Sequence, residues 1–274
     1  MIKMIALDID GTLVHKGRLP KKNLLAIQKA KEQGLWICLA SGRSPSGIFN
    51  LARKLGLWDN KSLMVGYNGG TVFKFKENGK VEIIWQKMIN HNSAWTIYKE
   101  ALDKNLHVFG YSEHKKEGIV AKKIGKFEIF MKLRTKRKLK KIKFESKMPA
   151  VNKFIIFGNK ERVLELRADL VKKGFSVFSW SYISKDNSNI EVNPADINKA
   201  NGLKHLIEFY GLKSDNVAFF GDGENDAQAL EWSGYAVAMG NAKKEIQEIA
   251  HTVVEHASKA GVGKEIERIL DRQK

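Results

Sequence analysis

The sequence predicts an α/β protein in which the two ends of the chain build one wound parallel sheet and the middle forms an α+β insert. Both ends alternate apolar strands with helical stretches, the order expected of a parallel sheet with right-handed crossovers. The middle contains a hairpin signal, Asn78-Gly79, and several short apolar runs. At 274 residues, the chain is long enough for two modest domains.

The N-terminal end begins with the apolar run Ile2 to Ile9, which is typical of a strand buried on both faces. A helix is expected between Pro20 and Gly34, followed by a strand from Leu35 to Ala40 and a helix from Pro45 to Leu55. This order is β-α-β-α.

The C-terminal end repeats the pattern. The expected elements are a helix from Asn198 to Tyr210, a strand from Val217 to Phe220, a helix from Glu224, an apolar stretch from Tyr235 to Met239 and a helix after Ala242.

The insert is expected to contain helices from Ser93 to Lys104 and from Glu161 to Lys172. The expected strands run from Thr71 to Phe75, Val81 to Trp85, His107 to Tyr111, Phe127 to Leu133, Val151 to Phe157, Phe175 to Trp180 and Asn189 to Val192. We expect residues 1–83 and 190–274 to form the core domain and residues 84–189 to form the inserted domain.

The chain is strongly basic, with 48 Lys and Arg against 30 Asp and Glu and a net charge of +18. Fourteen basic and three acidic residues lie between Lys115 and Lys147, so this run carries most of the excess. It is interpreted either as a solvated face of a small subdomain or as a surface that attracts anions.

The single cysteine, Cys38, lies in an apolar stretch, which excludes an intrachain disulfide or a multi-cysteine zinc site and fits a reducing compartment. Two carboxylates occur by position ten and no run approaches eighteen apolar residues. We therefore expect a cytoplasmic protein with no membrane partner.

The motif Asp8-Ile9-Asp10-Gly11-Thr12 directly follows the first strand. Strand alternation places the carboxylates of Asp8 and Asp10 on one side of the chain, and open α/β sheets bind ligands at this end of their strands. The alternative interpretation is a strand-end turn with solvated acids.

A second acidic motif, Gly221-Asp222-Gly223-Glu224-Asn225-Asp226, follows another apolar strand. Alone it is also consistent with a capped helix start. Together with Asp8 and Asp10, it predicts an all-oxygen site for a hard divalent cation such as Mg²⁺.

Donors that suit a phosphate are also present. Ser41-Gly42-Arg43-Ser44 follows the second strand and precedes a helix, where a hydroxyl and backbone N–H groups can hold phosphate oxygens. Lys199 precedes the helix that leads to Asp222 and can supply a positive charge, although alone it is also consistent with a solvated surface lysine.

These four segments, in this order, resemble the motifs of the haloacid dehalogenase superfamily of phosphatases. The resemblance implies that Asp8 is the nucleophile and Asp10 the general acid and base. It implies that Mg²⁺ is bound by Asp8, by the backbone carbonyl of Asp10 and by Asp222. The residues implied to contact the phosphoryl group are Ser41, Gly42, Lys199 and Asn225, and Asp226 is implied to orient the lysine or a metal-bound water.

The resemblance also implies the domain plan. Ser41 and Lys199 are 158 positions apart, so the insert lies between them, as a type II cap does. The α+β texture and the stretches Tyr67 to Gly70 and Ala238 to Ala242 resemble the Cof-type subgroup, which has a Rossmann-like core and a type IIB (C2B) cap.

The function expected from these features is Mg²⁺-dependent hydrolysis of a small phosphorylated metabolite, such as a sugar phosphate. One alternative is a phosphomutase of the same superfamily. Another is a binding protein that uses its basic surface for nucleic acid or another anionic partner. Nucleic acid is disfavoured because the tryptophans are not interleaved with the basic residues. The sequence leaves the individual substrate and the oligomeric state open.

Overall fold

The structure, a computed structural model, describes residues 1–59, 61–112, 117–120, 124–142, 148–179 and 184–273. The chain divides into two compact units, one formed by Met1–Gln86 with Asn198–Lys274 and the other by Lys87–Ile197. These boundaries lie later in the chain than the expected ones at 83/84 and 189/190. The expected boundaries would cut through two strands, Val81–Gln86 and Asn187–Asn193. Each of these strands belongs as a whole to one unit.

Each unit combines helices with strands. The first segment of the first unit contains β1 (Met4–Leu7), α1 (Lys21–Glu32), β2 (Trp36–Leu39), α2 (Pro45–Lys54), β3 (Met64–Gly66), β4 (Thr71–Phe75) and β5 (Val81–Gln86). The second unit contains α3 (His91–Asp103), β6 (His107–Ser112), β7 (Glu117–Val120), α4 (Lys126–Thr135), β8 (Lys138–Lys141), β9 (Val151–Asn159), α5 (Lys160–Lys172), β10 (Ser176–Ser179) and β11 (Asn187–Asn193). The remainder of the first unit contains α6 (Lys199–Glu208), β12 (Val217–Gly221), α7 (Ala227–Trp232), β13 (Tyr235–Met239), α8 (Lys244–Gln247), β14 (Thr252–Val254) and α9 (Gly261–Asp271).

The sheet at the centre of the first unit is parallel, with the spatial order β14-β13-β12-β1-β2. Strand β1 lies inside this sheet and all four of its residues are buried, as its continuous apolar sequence predicts. Ile5 and Leu7 belong to one hydrophobic cluster, whereas Met4 and Ala6 belong to another. Alternate residues therefore pack on opposite faces of the sheet, which confirms the predicted α/β core.

The hairpin predicted around Asn78-Gly79 is confirmed as β4 and β5, which pair antiparallel. Together with β3 it forms a separate three-stranded sheet. This sheet belongs to the first unit, although the strands of the hairpin were expected among the α+β elements of the insert.

The second unit contains a six-stranded sheet with the order β10-β11-β9-β6-β7-β8, antiparallel except for the pair β7 and β8. Val108 and Ile156 lie in a hydrophobic cluster with residues of α3 and α5. His107 and Phe157, the neighbouring strand positions, instead contact Phe127 of α4. Helices therefore pack on both faces, which confirms the α+β insert.

The predicted strand Phe127 to Leu133 is wrong, because these residues form α4. Apolar residues at 127, 129, 131 and 133 alternate as they do in a strand, but Phe127 and Met131 are also one helical turn apart and are buried together. The Glu128 carboxylate accepts a hydrogen bond from the Gly125 N–H at 2.7 Å, which favours the start of a helix. The predicted strand Phe175 to Trp180 is observed as β10, and Trp180 lies outside the described residues.

Among the described residues, no helix combines the length and the apolarity that crossing a bilayer requires.

Candidate functional site

Two acidic motifs meet at the carboxyl edge of the parallel sheet. Asp8 follows the last residue of β1, and Asp222 follows the last residue of β12, the strand beside it. The Asp8 N–H continues the strand pairing by donating to the carbonyl oxygen of Phe220 at 2.9 Å. The backbone therefore fixes the position of Asp8 beside the second motif.

Lys199 connects the two motifs. It is the first residue of α6, and its side chain is completely buried. Its Nζ lies 2.5 Å from Asp8 Oδ1 and 2.6 Å from Asp226 Oδ1. The alternative interpretation, a solvated surface lysine, is excluded because the ammonium group is buried between two carboxylates.

The buried charges shift the titration of the site. Burial raises the pKa of Asp8 well above its ordinary value, and repulsion from Asp226 and Asp222 adds to this, against the opposing attraction of Lys199. Burial, with repulsion from Asp226, also raises the pKa of Asp222 to about 6, although a hydrogen bond from Thr12 opposes the shift. Burial acts to lower the pKa of Lys199, but the two carboxylates outweigh it and the pKa lies above its ordinary value. Three carboxyl groups, those of Asp8, Asp222 and Asp226, therefore share one ammonium group, that of Lys199.

Two neutral donors orient the Asp222 carboxylate. Thr12 Oγ1 donates to Oδ1 at 2.8 Å, and Asn241 Nδ2 donates to Oδ2 at 3.0 Å. Asn241 also donates to the carbonyl oxygen of Gly11 at 2.8 Å. A Cβ at Gly11 would lie 2.2 Å from Asp222 Oδ2, and the φ of +91° also favours glycine. Close approach of the two motifs therefore requires glycine at this position.

Asp226 holds the second acidic motif in shape. Its Oδ2 accepts hydrogen bonds from the N–H groups of Asp222 at 3.0 Å and Gly223 at 2.9 Å, while Oδ1 binds Lys199. The Asp226 carboxylate thus stabilises the turn at Asp222 and Gly223 and also holds Lys199. The turn and the acidic cluster that the sequence predicted are both present.

Asn225 and Ser41 are joined through Asn68, a residue to which the sequence analysis assigned no role. Asn225 Nδ2 donates to Asn68 Oδ1 at 3.0 Å, and the Asn68 N–H donates to the carbonyl oxygen of Ser41 at 3.0 Å. Asn68 has a φ of +57° in a turn packed against α6, where a Cβ at Gly69 would lie 1.9 Å from the Asn198 carbonyl oxygen. This turn therefore links the second and fourth motifs to the helix that carries Lys199.

Asp10 pairs with Arg43 and not with Lys199. Its two carboxylate oxygens accept from Arg43 Nε at 2.7 Å and Nη2 at 2.5 Å, and its side chain is half exposed. The Arg43 N–H also donates to Ser41 Oγ at 3.3 Å, and half-buried Gly42 lies between these two residues. The first and second motifs therefore meet through a bidentate ion pair.

The residues that sequence reasoning missed are Thr12, Arg43, Asn68 and Asn241. All four lie inside segments that the sequence analysis singled out as motifs. The available signal was their position in these segments, whereas their partners are distant in sequence: Thr12 and Asp222 are separated by 210 residues, and Asn68 and Asn225 by 157.

The donor set fits a divalent metal ion. Asp8, Asp222 and Asp226 each offer one carboxylate oxygen, and these oxygens lie within 4.8 Å of one another. Oxygen ligands and excess negative charge are what Mg²⁺ requires. Asp226 already accepts three hydrogen bonds, which makes Asp8 and Asp222 the carboxylates better placed to act as ligands.

Comparison with known proteins agrees with this architecture. Residues 5–266 match the family model of the haloacid dehalogenase-like hydrolases. The putative phosphatase YkrA of Bacillus subtilis is 29% identical over 262 residues, which cover 95% of each chain. The 5-amino-6-(5-phospho-D-ribitylamino)uracil phosphatase YcsE of B. subtilis is 26% identical over 276 residues, covering 97% of this chain and 94% of YcsE.

Solved structures show the same fold. A haloacid dehalogenase-like hydrolase from Bacteroides thetaiotaomicron superposes with a TM-score of 0.80 at 26% identity, covering 98% of this chain and all of that one. The subclass IIB sugar phosphatase BT4131 also gives a TM-score of 0.80, at 23% identity, covering 97% and 98% of the two chains. The chain therefore belongs to the haloacid dehalogenase-like hydrolases, with a Cof-type architecture.

Proposed function

We propose that this hydrolase is a cytoplasmic, Mg²⁺-dependent phosphatase that acts on small phosphorylated metabolites through an aspartyl-phosphate on Asp8. The observation that carries the proposal is the buried Lys199 between Asp8 and Asp226. A carboxylate nucleophile repels an anionic phosphate ester, and a buried, fixed cation beside it offsets that repulsion. The buried thiol of Cys38 supports the reducing compartment.

In the first half-reaction, an Asp8 carboxylate oxygen attacks phosphorus while the bond between phosphorus and the leaving oxygen breaks. Asp8 Oδ1 binds Lys199, so Oδ2 is the oxygen we assign to the attack. Asp10 donates a proton to the leaving oxygen. Since Asp10 is half exposed and bound to Arg43, it exchanges that partner for the substrate during the cycle.

In the second half-reaction, water attacks the phosphorus of the aspartyl-phosphate. Asp10 takes the proton from this water, which releases inorganic phosphate and restores the Asp8 carboxylate. Ser41, Gly42, Lys199 and Asn225 are proposed to hold the phosphoryl oxygens. The hydrogen bonds that join Asn225 and Ser41 through Asn68 support this grouping.

Mg²⁺ is proposed to be held by Asp8, Asp222 and the backbone carbonyl of Asp10, where it supplies positive charge that offsets charge on the transferred group. Asp226 orients Lys199 and the loop of Asp222. Thr12 and Asn241 fix the Asp222 carboxylate, so that its position is set before any ion arrives.

Sugar phosphates or similar monoesters are the proposed substrates. Two of the proteins compared above support this class: BT4131 is named a sugar phosphatase, and YcsE is named for a phosphorylated ribityl compound.

The test is a phosphate-release screen over sugar phosphates, nucleotides, cofactors and pyrophosphate with Mg²⁺. Asp8→Asn is the blank, and Asp215→Asn, an exposed acid of the same unit, is the matched control. We expect release by the wild type and the control but not by Asp8→Asn, and all three proteins should unfold cooperatively. Activity of Asp8→Asn within tenfold of the wild type would refute the mechanism.

The same assay distinguishes a phosphomutase. Transfer of the phosphoryl group to a second hydroxyl of a sugar, without release of inorganic phosphate, would replace hydrolysis with mutase activity as the assignment.

A further inference from the structure

Helix α4 of the second unit presents apolar side chains to solvent. Ile129, Phe130 and Leu133 are 50%, 41% and 72% exposed. The opposite side of the helix is also apolar, since Phe127 and Met131 are buried there. One apolar side suffices to attach a helix to its own protein, so the outward apolar side requires a separate explanation.

The outward side chains form a continuous stripe. At about 100° per residue, Ile129, Leu133 and Phe130 lie within an arc of about 100°, with Ile129 opposite the buried Phe127 and Met131 and Phe130 about 60° from Phe127. Lys132 lies at one margin of this arc and Arg134 at the other, and both are exposed. Lys126 lies within the same arc, at the start of the helix, and is also exposed.

The strand beside the helix adds more positive charge. Of the exposed lysines of β8, Lys141 lies in register with Val120 and Phe109, on the side of the sheet that α4 covers, whereas Lys138 and Lys140 alternate to the other side. Among the described residues, Glu128 is buried against His107, and Glu117 pairs with Lys140. We call the exposed residues of α4 together with Lys141 the α4–β8 surface.

We propose that the α4–β8 surface binds an anionic lipid bilayer in the plane of its headgroups. An apolar stripe flanked by lysine and arginine is the pattern by which helices lie on a membrane, with apolar side chains among the acyl chains and cations on lipid phosphates. This inference is independent of the proposed function. Lying on a bilayer also differs from spanning it, so the absence of a long apolar segment does not bear on it.

Charge decides against a second copy of the chain as the occupant. A symmetric dimer through this surface would place the cations of one copy against those of the other. The stripe also suits a bilayer better than a nucleic acid. Two of its three side chains, Ile129 and Leu133, are aliphatic and offer no ring on which a base can stack.

Flotation with vesicles tests the proposal. The probes are vesicles of phosphatidylglycerol with phosphatidylcholine, and vesicles of phosphatidylcholine alone. We expect binding to the anionic vesicles to be at least tenfold stronger, and to weaken as salt increases. Equal binding to both vesicles, or none to either at low salt, would overturn the proposal.

Matched variants measure how much the apolar stripe contributes to vesicle binding, apart from the positive charge around it. Ile129→Ser with Leu133→Ser is expected to reduce binding to anionic vesicles at least tenfold, while Leu164→Ser, at a half-exposed position on α5, leaves it unchanged. Wild-type affinity in the stripe variant would overturn the proposal. Homopolymeric RNA is the competitor, and tighter binding to RNA than to vesicles would assign the surface to nucleic acid instead.

A fluorescent reporter tests insertion directly and avoids any variant that weakens folding. Leu133→Cys can be labelled selectively with an environment-sensitive dye, because the native Cys38 is buried. The emission is expected to shift to the blue with anionic vesicles and to stay unchanged with RNA, and the same dye at Leu164→Cys should not respond to either. No shift at position 133 on vesicles would contradict insertion.

Discussion

One lysine of the first unit and three lysines of the second unit have opposite environments. Lys199 in the first unit is completely buried and binds two carboxylates, whereas Lys138, Lys140 and Lys141 in the second unit are exposed along β8. The buried lysine is a fixed element of a site, because its position depends on Asp8 and Asp226. The exposed lysines act through a field that solvent and salt screen. The number of charged residues in a segment therefore does not by itself show where a functional site lies.

The largest expected effect follows from removing the buried cation. Lys199→Met leaves the carboxylates of Asp8 and Asp226 buried without their partner, so we expect a loss of about 3–5 kcal/mol in unfolding free energy and loss of measurable turnover. Denaturant unfolding and phosphate release measure the two effects. Lys138→Met is the control and should change both only slightly. A stable and active Lys199→Met protein would remove the distinction between the two kinds of lysine.

Metal dependence tests the acidic side of the same site. Activity should vanish in excess chelator and return with Mg²⁺, whereas Ca²⁺ should inhibit. Ca²⁺ accepts more oxygen ligands and longer distances, so it favours two-oxygen binding of the Asp8 carboxylate and holds the nucleophile away from phosphorus. Phosphate release during metal titrations measures this effect. Full activity in chelator would show that the cluster of Asp8, Asp222 and Asp226 serves another purpose.

The raised pKa of Asp222 predicts how the stability of the metal-free protein depends on pH. An acid with a higher pKa in the folded state binds its proton more tightly there. The protonated Asp222 therefore contributes to the free energy of unfolding. This contribution is fully present below the ordinary pKa of 3.8 and is lost as pH rises through the folded-state pKa of about 6.

Asp222→Asn resembles the protonated form and isolates this effect. Wild type and variant should be equally stable near pH 4, and the wild type should be roughly 2 kcal/mol less stable at pH 7. Denaturant unfolding of both proteins across this range measures the difference. A constant difference between the two proteins at all pH values would contradict the assigned shift.

The smallest expected effect concerns the basic run Lys115 to Lys147, of which residues 115–116, 121–123 and 143–147 lie outside the described part of the chain. Replacing Arg134, Lys136 and Lys138 by glutamine should lower kcat/KM about two- to fivefold at low salt, with kcat unchanged, because screened surface charge affects encounter and not chemistry. Steady-state kinetics at several salt concentrations measure this. A fall in kcat would place these residues in the active site.

Arg137 must be left intact in that experiment. Its guanidinium is buried, donates to the Glu117 carbonyl oxygen at 2.9 Å and lies 5.0 Å from the centre of the Tyr111 ring. Neither interpretation of the run from sequence, a solvated face or an anion-attracting surface, describes the buried Arg137.

The parts of the fold that were predictable from sequence are those in which local pattern and tertiary environment agree. Strand β1 is apolar throughout because both its faces are buried. Position 11 is glycine because a Cβ there would collide with the Asp222 carboxylate. The α4 prediction failed because both sides of that helix are apolar, which hides its period.

The sequence predicted several residues that the structure brings together, but not the contacts that connect them. Motif order pointed to Asp8, Asp222 and Lys199, whereas the Asp10–Arg43 pair and the links made by Asn68 depend on loops that meet only in the folded chain. Sequence spacing carries no information on such contacts unless the turns between them are known.

The central claim is that Asp8 is the nucleophile and that Lys199 fixes it. The most direct measurement is rapid acid quenching of the enzyme during turnover, followed by mass spectrometry of its peptides. We expect a phosphate adduct on the peptide that contains Asp8, absent from Asp8→Asn and hydrolysed on return to turnover conditions. Sustained phosphate release with no adduct on that peptide at any quench time, or an adduct on another residue, would contradict it.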